Sequence, residues 1–189
     1  MSGHDIEGKI TELHLQTMAY LGELKKWIIE QRQSKRSQII CYFTYSLDIA
    51  HDGEEESICF GTFHIHNMGD QVITNPVILI QLPKESPFSF SGKYVYGDFK
   101  QSLKPANGWE RMNAKEDQEE FWLKPLGKQS IEPGERISFS DFQIRWSPKE
   151  SYAGSVMAYT YCDEIKEGIA VMNPISLNGT VRIREGENG

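Results

Sequence analysis

Little in this sequence is suited to bond-making chemistry. It holds three cysteines, Cys41, Cys59 and Cys162, and five histidines, the last of them His66. An odd cysteine count without metal-site spacing argues against a disulfide framework. Cys41 and Cys59 stand in apolar, strand-like surroundings and read as small buried hydrophobes. No Gly-x-Ser-x-Gly, Cys-x-x-Cys or Gly-x-Gly-x-x-Gly occurs. Ser91-Gly92-Lys93 is not a phosphate loop, because Pro87 stands where the upstream glycine belongs. No catalytic residue and no cofactor is therefore assigned. Positive charge is also short: 20 Lys+Arg against 27 Asp+Glu give a net charge of -7. A surface of that sign is wrong for nucleic acid. No apolar run approaches the ~20 residues that cross a bilayer. The start of the chain has no basic segment followed by an apolar stretch, so no secretory leader is read there, and the expected location is the cytoplasm.

What is present is pattern. In the 189 residues, 39% are hydrophobic and 25% charged, enough for a real core but a lean one. Residues 39–50 alternate: Ile39, Cys41, Phe43, Tyr45, Leu47 and Ile49 share one parity, which a strand places on one face. Asp52-Gly53 suits a type I′ turn into a return strand over 57–67. Further strands are predicted at 71–82 with a kink at Pro76, 89–96, 120–123, 136–146, 155–161 and 169–172. A last hairpin is expected over 175–183 about Asn178-Gly179. In 136–146 the apolar parity changes near Ser140-Asp141, which implies a bulge. Seven to nine short strands separated by turns are the pattern of a sandwich.

Residues 5–36 read as one helix, about 48 Å long at 1.5 Å per residue. Ile6, Ile10, Leu13, Thr17, Tyr20, Leu24, Trp27 and Gln31 recur at alternating spacings of four and three, a coiled-coil seam. Such a stripe either covers the helix's own sheet or joins copies of the chain. The oligomer interface is assigned to Ile6, Ile10, Leu13, Tyr20, Leu24 and Trp27. The helix carries six Lys/Arg and five Asp/Glu and has no basic face, so no membrane partner is expected. The predicted organisation is a long amphipathic helix over 1–37, a sandwich over 38–185 and a frayed tail over 186–189.

Two stretches carry a resemblance. Asn67-Met68-Gly69 leads into an apolar strand, and Pro133-Gly134-Glu135 leads into another. Both resemble turns of bacterial immunoglobulin-like domains. The resemblance implies an immunoglobulin-like antiparallel β-sandwich, a fold mostly used for adhesion, structure or carbohydrate binding, and it carries no catalytic residues across.

The candidate sites are few. His64 and His66 project from one strand face, as chelating ligands would, and resemble the first motif of cupin metal sites. The later cupin histidine is missing, and Val77 stands where a glycine is expected, so no metal is assigned. Asp52, Glu54, Glu55 and Glu56, and likewise Glu116, Asp117, Glu119 and Glu120, read as solvated acidic runs rather than a calcium loop. The segment 84–120 is long, aromatic and rich in turn residues, and such loops often bind. Trp109 in it is expected to be exposed, with Tyr94 and Tyr96 beside it as partner-binding residues, whereas Trp122 and Trp146 are expected in the core. The reading is a non-enzymatic interaction module that self-associates through its helix. A carbohydrate-binding module is the alternative, and an enzyme using His64 and His66 a distant one.

Overall fold

The computed structural model describes residues 3–36, 38–51, 55–97 and 108–180; within the helix it describes the side chains of residues 9 and 12–27. Helix α1 (Gly3–Arg36) precedes the strands β1 (Ile39–Asp48), β2 (Ser57–Asn67), β3 (Ile73–Thr74), β4 (Val77–Gln81), β5 (Ser89–Ser91), β6 (Tyr94–Tyr96), β7 (Trp109–Arg111), β8 (Glu120–Pro125), β9 (Ser130–Ile131), β10 (Arg136–Trp146), β11 (Tyr152–Tyr161), β12 (Ile169–Ala170) and β13 (Ile175–Gly179). The protein is mainly β, one helix followed by a β-sandwich. One sheet has the order β1-β2-β10-β5. The larger has the order β12-β11-β4-β8-β7-β6, with β13 also on β11, and β3 pairs with β9.

The core lies where the inward parities of the two sheets meet. Cys41, Phe43, Cys59, Phe63, Ile65, Phe139, Phe142 and Ile144 come from the smaller sheet, and Ile78, Ile80, Phe121, Leu123, Val156 and Ala158 from the larger. Phe142 lies over Gly61, its partner in the β2–β10 register. A Cβ at Gly61 would stand 2.2 Å from the ring, so only glycine leaves room there. The implied bulge is present: the register shifts between Phe139 and Phe142, and Asp141 has φ of 60°. The kink before β4 is present too, with Asn75 at φ of 50°.

Five expectations need correction or fall outside the described residues. Residues 89–96 are not one strand. They break at Gly92 into β5 and β6, which join different sheets. Asn178-Gly179 is not a turn: both residues lie in β13, opposite Ala153 and Tyr152. Five strand pairings there outweigh the local turn preference. The Asp52-Gly53 turn and the tail 186–189 lie outside the described residues. Finally, the inward parity of β1 is buried only as far as Phe43. Tyr45, Leu47 and Ile49, farther along this edge, are exposed, although Gly61 and Cys59 beside them on β2 are buried. At the free edge of β1, Asn173 bonds both backbone groups of Phe43: its Oδ1 accepts from the N–H and its Nδ2 donates to the carbonyl, each at 2.9 Å.

All three cysteines are free and buried. Burial pushes the Cys59 and Cys162 thiols up to about 11, and Cys41 is raised for the same reason. A thiol-specific reagent at pH 8 should therefore label none of them in the native protein and all three in denaturant. Rapid labelling of any one in the native state would contradict this packing.

Candidate functional site

The three residues assigned to partner binding are brought together, but facing inward. Strands β6 and β7 pair in parallel with Tyr94 opposite Trp109 and Tyr96 opposite Arg111. Trp109 is only 6% exposed, which overturns its assignment as an exposed anchor. Its Nε1 donates to the Ser138 carbonyl at 3.1 Å, and its ring meets Phe139 edge-on at 5.6 Å. The turn signals that made this stretch read as loop end at Gly108, and the next three residues form a buried strand.

Beside Trp109, Arg111 is 3% exposed. A buried guanidinium must have its donors met. Its Nη2 donates to the carbonyls of Asp117 and Glu120, and its Nε to Asn113 Oδ1 at 3.1 Å. Its Cζ stands 4.4 Å from the centre of the Phe121 ring, 5.9 Å from Tyr94 and 6.0 Å from Tyr96. Tyr94 and Tyr96 therefore serve to wall in this charge. Asn113 extends the network: its Nδ2 donates to Asp117 Oδ2 at 3.0 Å and to the Glu120 carbonyl at 2.7 Å, and its Oδ1 accepts from Trp122 N–H at 3.1 Å. Asp117 is thus a knot of this loop rather than a solvated acid. Bonds from the backbone N–H of Glu120, and then from Asn113, hold its carboxyl below the usual carboxylate range. The result is a fixed entry into β8 and a fixed projection of Glu120, Trp122 and Lys124.

Those three side chains point away from the core, because Phe121 and Leu123 alternate with them and are buried. The same parity argument turns Val77, Leu79 and Gln81 of β4 and Met157, Tyr159 and Tyr161 of β11 outward. The register sets Tyr159, Leu79 and Trp122 in one row across the sheet. Leu79 is outward yet only 6% exposed, so the aromatic neighbours lie over it. The Trp122 and Tyr161 rings are 5.3 Å apart and 32° from parallel. Packed against each other and each part-buried, they form an aromatic platform on the outward face of the sheet. Polar groups frame it: Gln81 Nε2 donates to Glu120 Oε1 at 3.3 Å, and Trp122 Nε1 to Glu120 Oε2 at 3.0 Å. At the other side a cleft of about 390 Å³ runs between Asn75-Pro76-Val77 and the 124–129 turn. The Lys124 ammonium sits 3.4 Å from the nearly buried Glu110 carboxylate there.

Trp122 was assigned to the core because it stands in a strand pattern. Its company on the same parity, Glu120 and Lys124, was the signal that it faces out. Trp146 is buried, as expected.

Among the helix residues assigned to self-association, Leu13, Tyr20, Leu24 and Trp27 are between 56% and 69% exposed. Every other described side chain of α1 is exposed as well, so this stretch does not cover the sheet. Ile6 and Ile10 have side chains outside the described ones.

His64 and His66 lie on the outward face of the smaller sheet, away from the platform. His64 Nε2 is 2.9 Å from Thr44 Oγ1, its Nδ1 is 2.8 Å from Ser138 Oγ, and its ring lies 4.8 Å from that of Tyr42. His66 Nε2 is 3.3 Å from the Gly134 carbonyl. Among the described residues no group of three His, Cys, Asp or Glu side chains is placed to hold a metal, and no helix is long and apolar enough to cross a membrane.

No described protein family and no curated protein matches this chain. Among solved structures it is similar to a family 3b carbohydrate-binding module from the biomass sensoring system of Clostridium clariflavum, at 13% identity and a TM-score of 0.34, over 74% of this chain and 100% of that one. It is similar to a family GH18 chitinase from Chromobacterium violaceum at 11% identity and a TM-score of 0.33, over 70% of this chain but 18% of the chitinase. A carbohydrate-binding module from cellobiohydrolase 9A of Clostridium thermocellum gives 14% identity and a TM-score of 0.32, over 74% and 97%. Overlaps this loose decide nothing about the site.

Trp109→Ala should cost about 3–5 kcal/mol of stability, the usual loss for a buried aromatic, seen as a drop in thermal midpoint; an unchanged melt would contradict its burial. Burial, and then the Arg136 charge, lower the His64 pKa below the ordinary 6.5. The unfolded chain then binds the proton more readily, so stability should fall as pH drops below about 6.5. A proton NMR titration should find His64 with a midpoint below 6.5, and a midpoint at or above it would contradict the geometry.

Proposed function

We propose that this protein is a non-catalytic binding module whose ligand is a saccharide taken up on the outward face of the larger sheet, and that its exposed helix brings copies together. The observation that carries this reading is the Trp122–Tyr161 platform with Glu120 and Gln81 at its border. A pyranose ring has an apolar C–H face and a rim of hydroxyls. The aromatic faces meet the first, at little entropy cost because the rings are already held. The carboxylate and amide meet the second with charge-assisted and neutral hydrogen bonds. The neighbouring cleft, with Lys124 and Glu110, gives further donors and acceptors along a chain of sugars. A few polar groups around an apolar floor are the usual make-up of a small-molecule site.

Affinity electrophoresis through gels containing soluble polysaccharides, followed by calorimetry on the retarding one, tests this. Trp122→Ala should lower affinity at least about ten-fold, a loss of roughly 1.4 kcal/mol or more. Its thermal midpoint should move by only a few degrees, because the side chain lies on the outward face of the sheet, outside the core between the two sheets. Failure of a broad polysaccharide panel to retard the wild-type protein, or unchanged affinity in Trp122→Ala with Tyr161→Ala, would refute the reading.

A further inference from the structure

We infer that α1 pairs with α1 of a second copy in antiparallel orientation, with Leu13 of each copy against Leu24 of the other. This rests on the proposed self-association and adds its geometry. Four seam side chains, Leu13, Tyr20, Leu24 and Trp27, stand exposed at heptad spacing along a helix whose described part the sandwich leaves uncovered. The occupant follows from matching the seam to itself. Run antiparallel, the layers are Leu13 with Leu24, Thr17 with Tyr20 and, by sequence, Ile10 with Trp27. Each layer then sets a smaller side chain against a larger or an equal one, as even packing requires. Run parallel, like meets like: Trp27 on Trp27 and Tyr20 on Tyr20 crowd, while Thr17 on Thr17 leaves a thin polar layer.

Two further features fit. The Thr17 hydroxyl already donates to the Leu13 carbonyl at 2.8 Å, so it brings no unmet polar group to a layer shared with Tyr20. Beside the seam, the antiparallel register sets Lys9 near Glu30 of the other copy, opposite in sign, and Gln16 near Glu23, with no like charges facing. Leu21 flanks the seam and widens it, whereas Leu15 and Met18 fall outside it. In this arrangement each helix leads into its β1 at the opposite end of the pair, about 50 Å from the other at 1.5 Å per residue. The two platforms would engage separate stretches of one polysaccharide and raise avidity beyond single-site affinity.

Cross-linking of the full chain tests it. Leu13→Cys and Leu24→Cys are made as single variants, distinguished by a mass tag, and oxidised separately and mixed; the three buried native thiols give no background. The expected product is the Leu13→Cys with Leu24→Cys heterodimer, at least about five-fold over either homodimer. In the antiparallel pair two Leu13 positions lie some 16 Å apart along the axis, beyond disulfide reach. Homodimers forming in each single variant would overturn the antiparallel arrangement and leave self-association standing. Sedimentation equilibrium of the wild type at tens of micromolar should give twice 21.7 kDa. A monomer there would overturn the self-association reading itself, and a dimer with no cross-link in any combination would remove α1 as its interface.

Discussion

One buried charge organises the far side of this sandwich. Arg111 sits at the junction of β7 with the loop leading into β8, and a guanidinium out of water is tolerated only when its N–H groups are met. Meeting them fixes the carbonyls of Asp117 and Glu120 and the amide of Asn113. That in turn fixes where β8 begins and which of its residues face out. Cutting any one of these links leaves a buried guanidinium donor unmet beside Phe121, a loss of about 1–3 kcal/mol. The platform faces outward, but what positions it lies behind it, on the inward side of the same sheet.

The sequence was most legible where burial is one-sided and the strand long. The alternation in β1 and β2 and the bulge in β10 follow from period-two patterns, whereas Asn75, at φ of 50°, does not take the extended geometry that a following proline favours. It was least legible in short elements. A three-residue strand such as β7, buried at all three positions, has no period to read, and turn signals just upstream disguised it. Asn178-Gly179 shows the converse. Its local preference is strong, but a ladder to β11 supplies several hydrogen bonds that a tight turn would forfeit.

The candidate site failed to appear for a related reason. Tryptophan is the ambiguous residue: large enough to belong inside and amphipathic enough to belong at a contact surface. Ranking the tryptophans by loop or strand context put Trp109 outside and Trp122 inside, and both were reversed. Parity against neighbours was the better guide. Trp122 shares its face with Glu120 and Lys124, whereas Trp109 lies beside a position, Arg111, whose charge is consumed internally. The helix was the opposite case. Its seam was plain in the sequence, but whether a sheet covered it could be read only from the exposure of Leu13 through Trp27 in the folded chain.

Asn173 at the rim of β1 has a bearing on solubility. Its amide stands in for the peptide group that a neighbouring strand would bring to Phe43, so the ladder is already terminated at that point. Beyond it, among the described residues, only Tyr45 and Leu47 keep outward backbone groups on a paired strand. Two residues span about 7 Å of ladder at 3.4 Å each. A foreign strand arriving there finds a grip too short to template growth, although three apolar side chains lie bare beside it. One side-chain amide thus makes an exposed, hydrophobic edge a poor seed for fibrils.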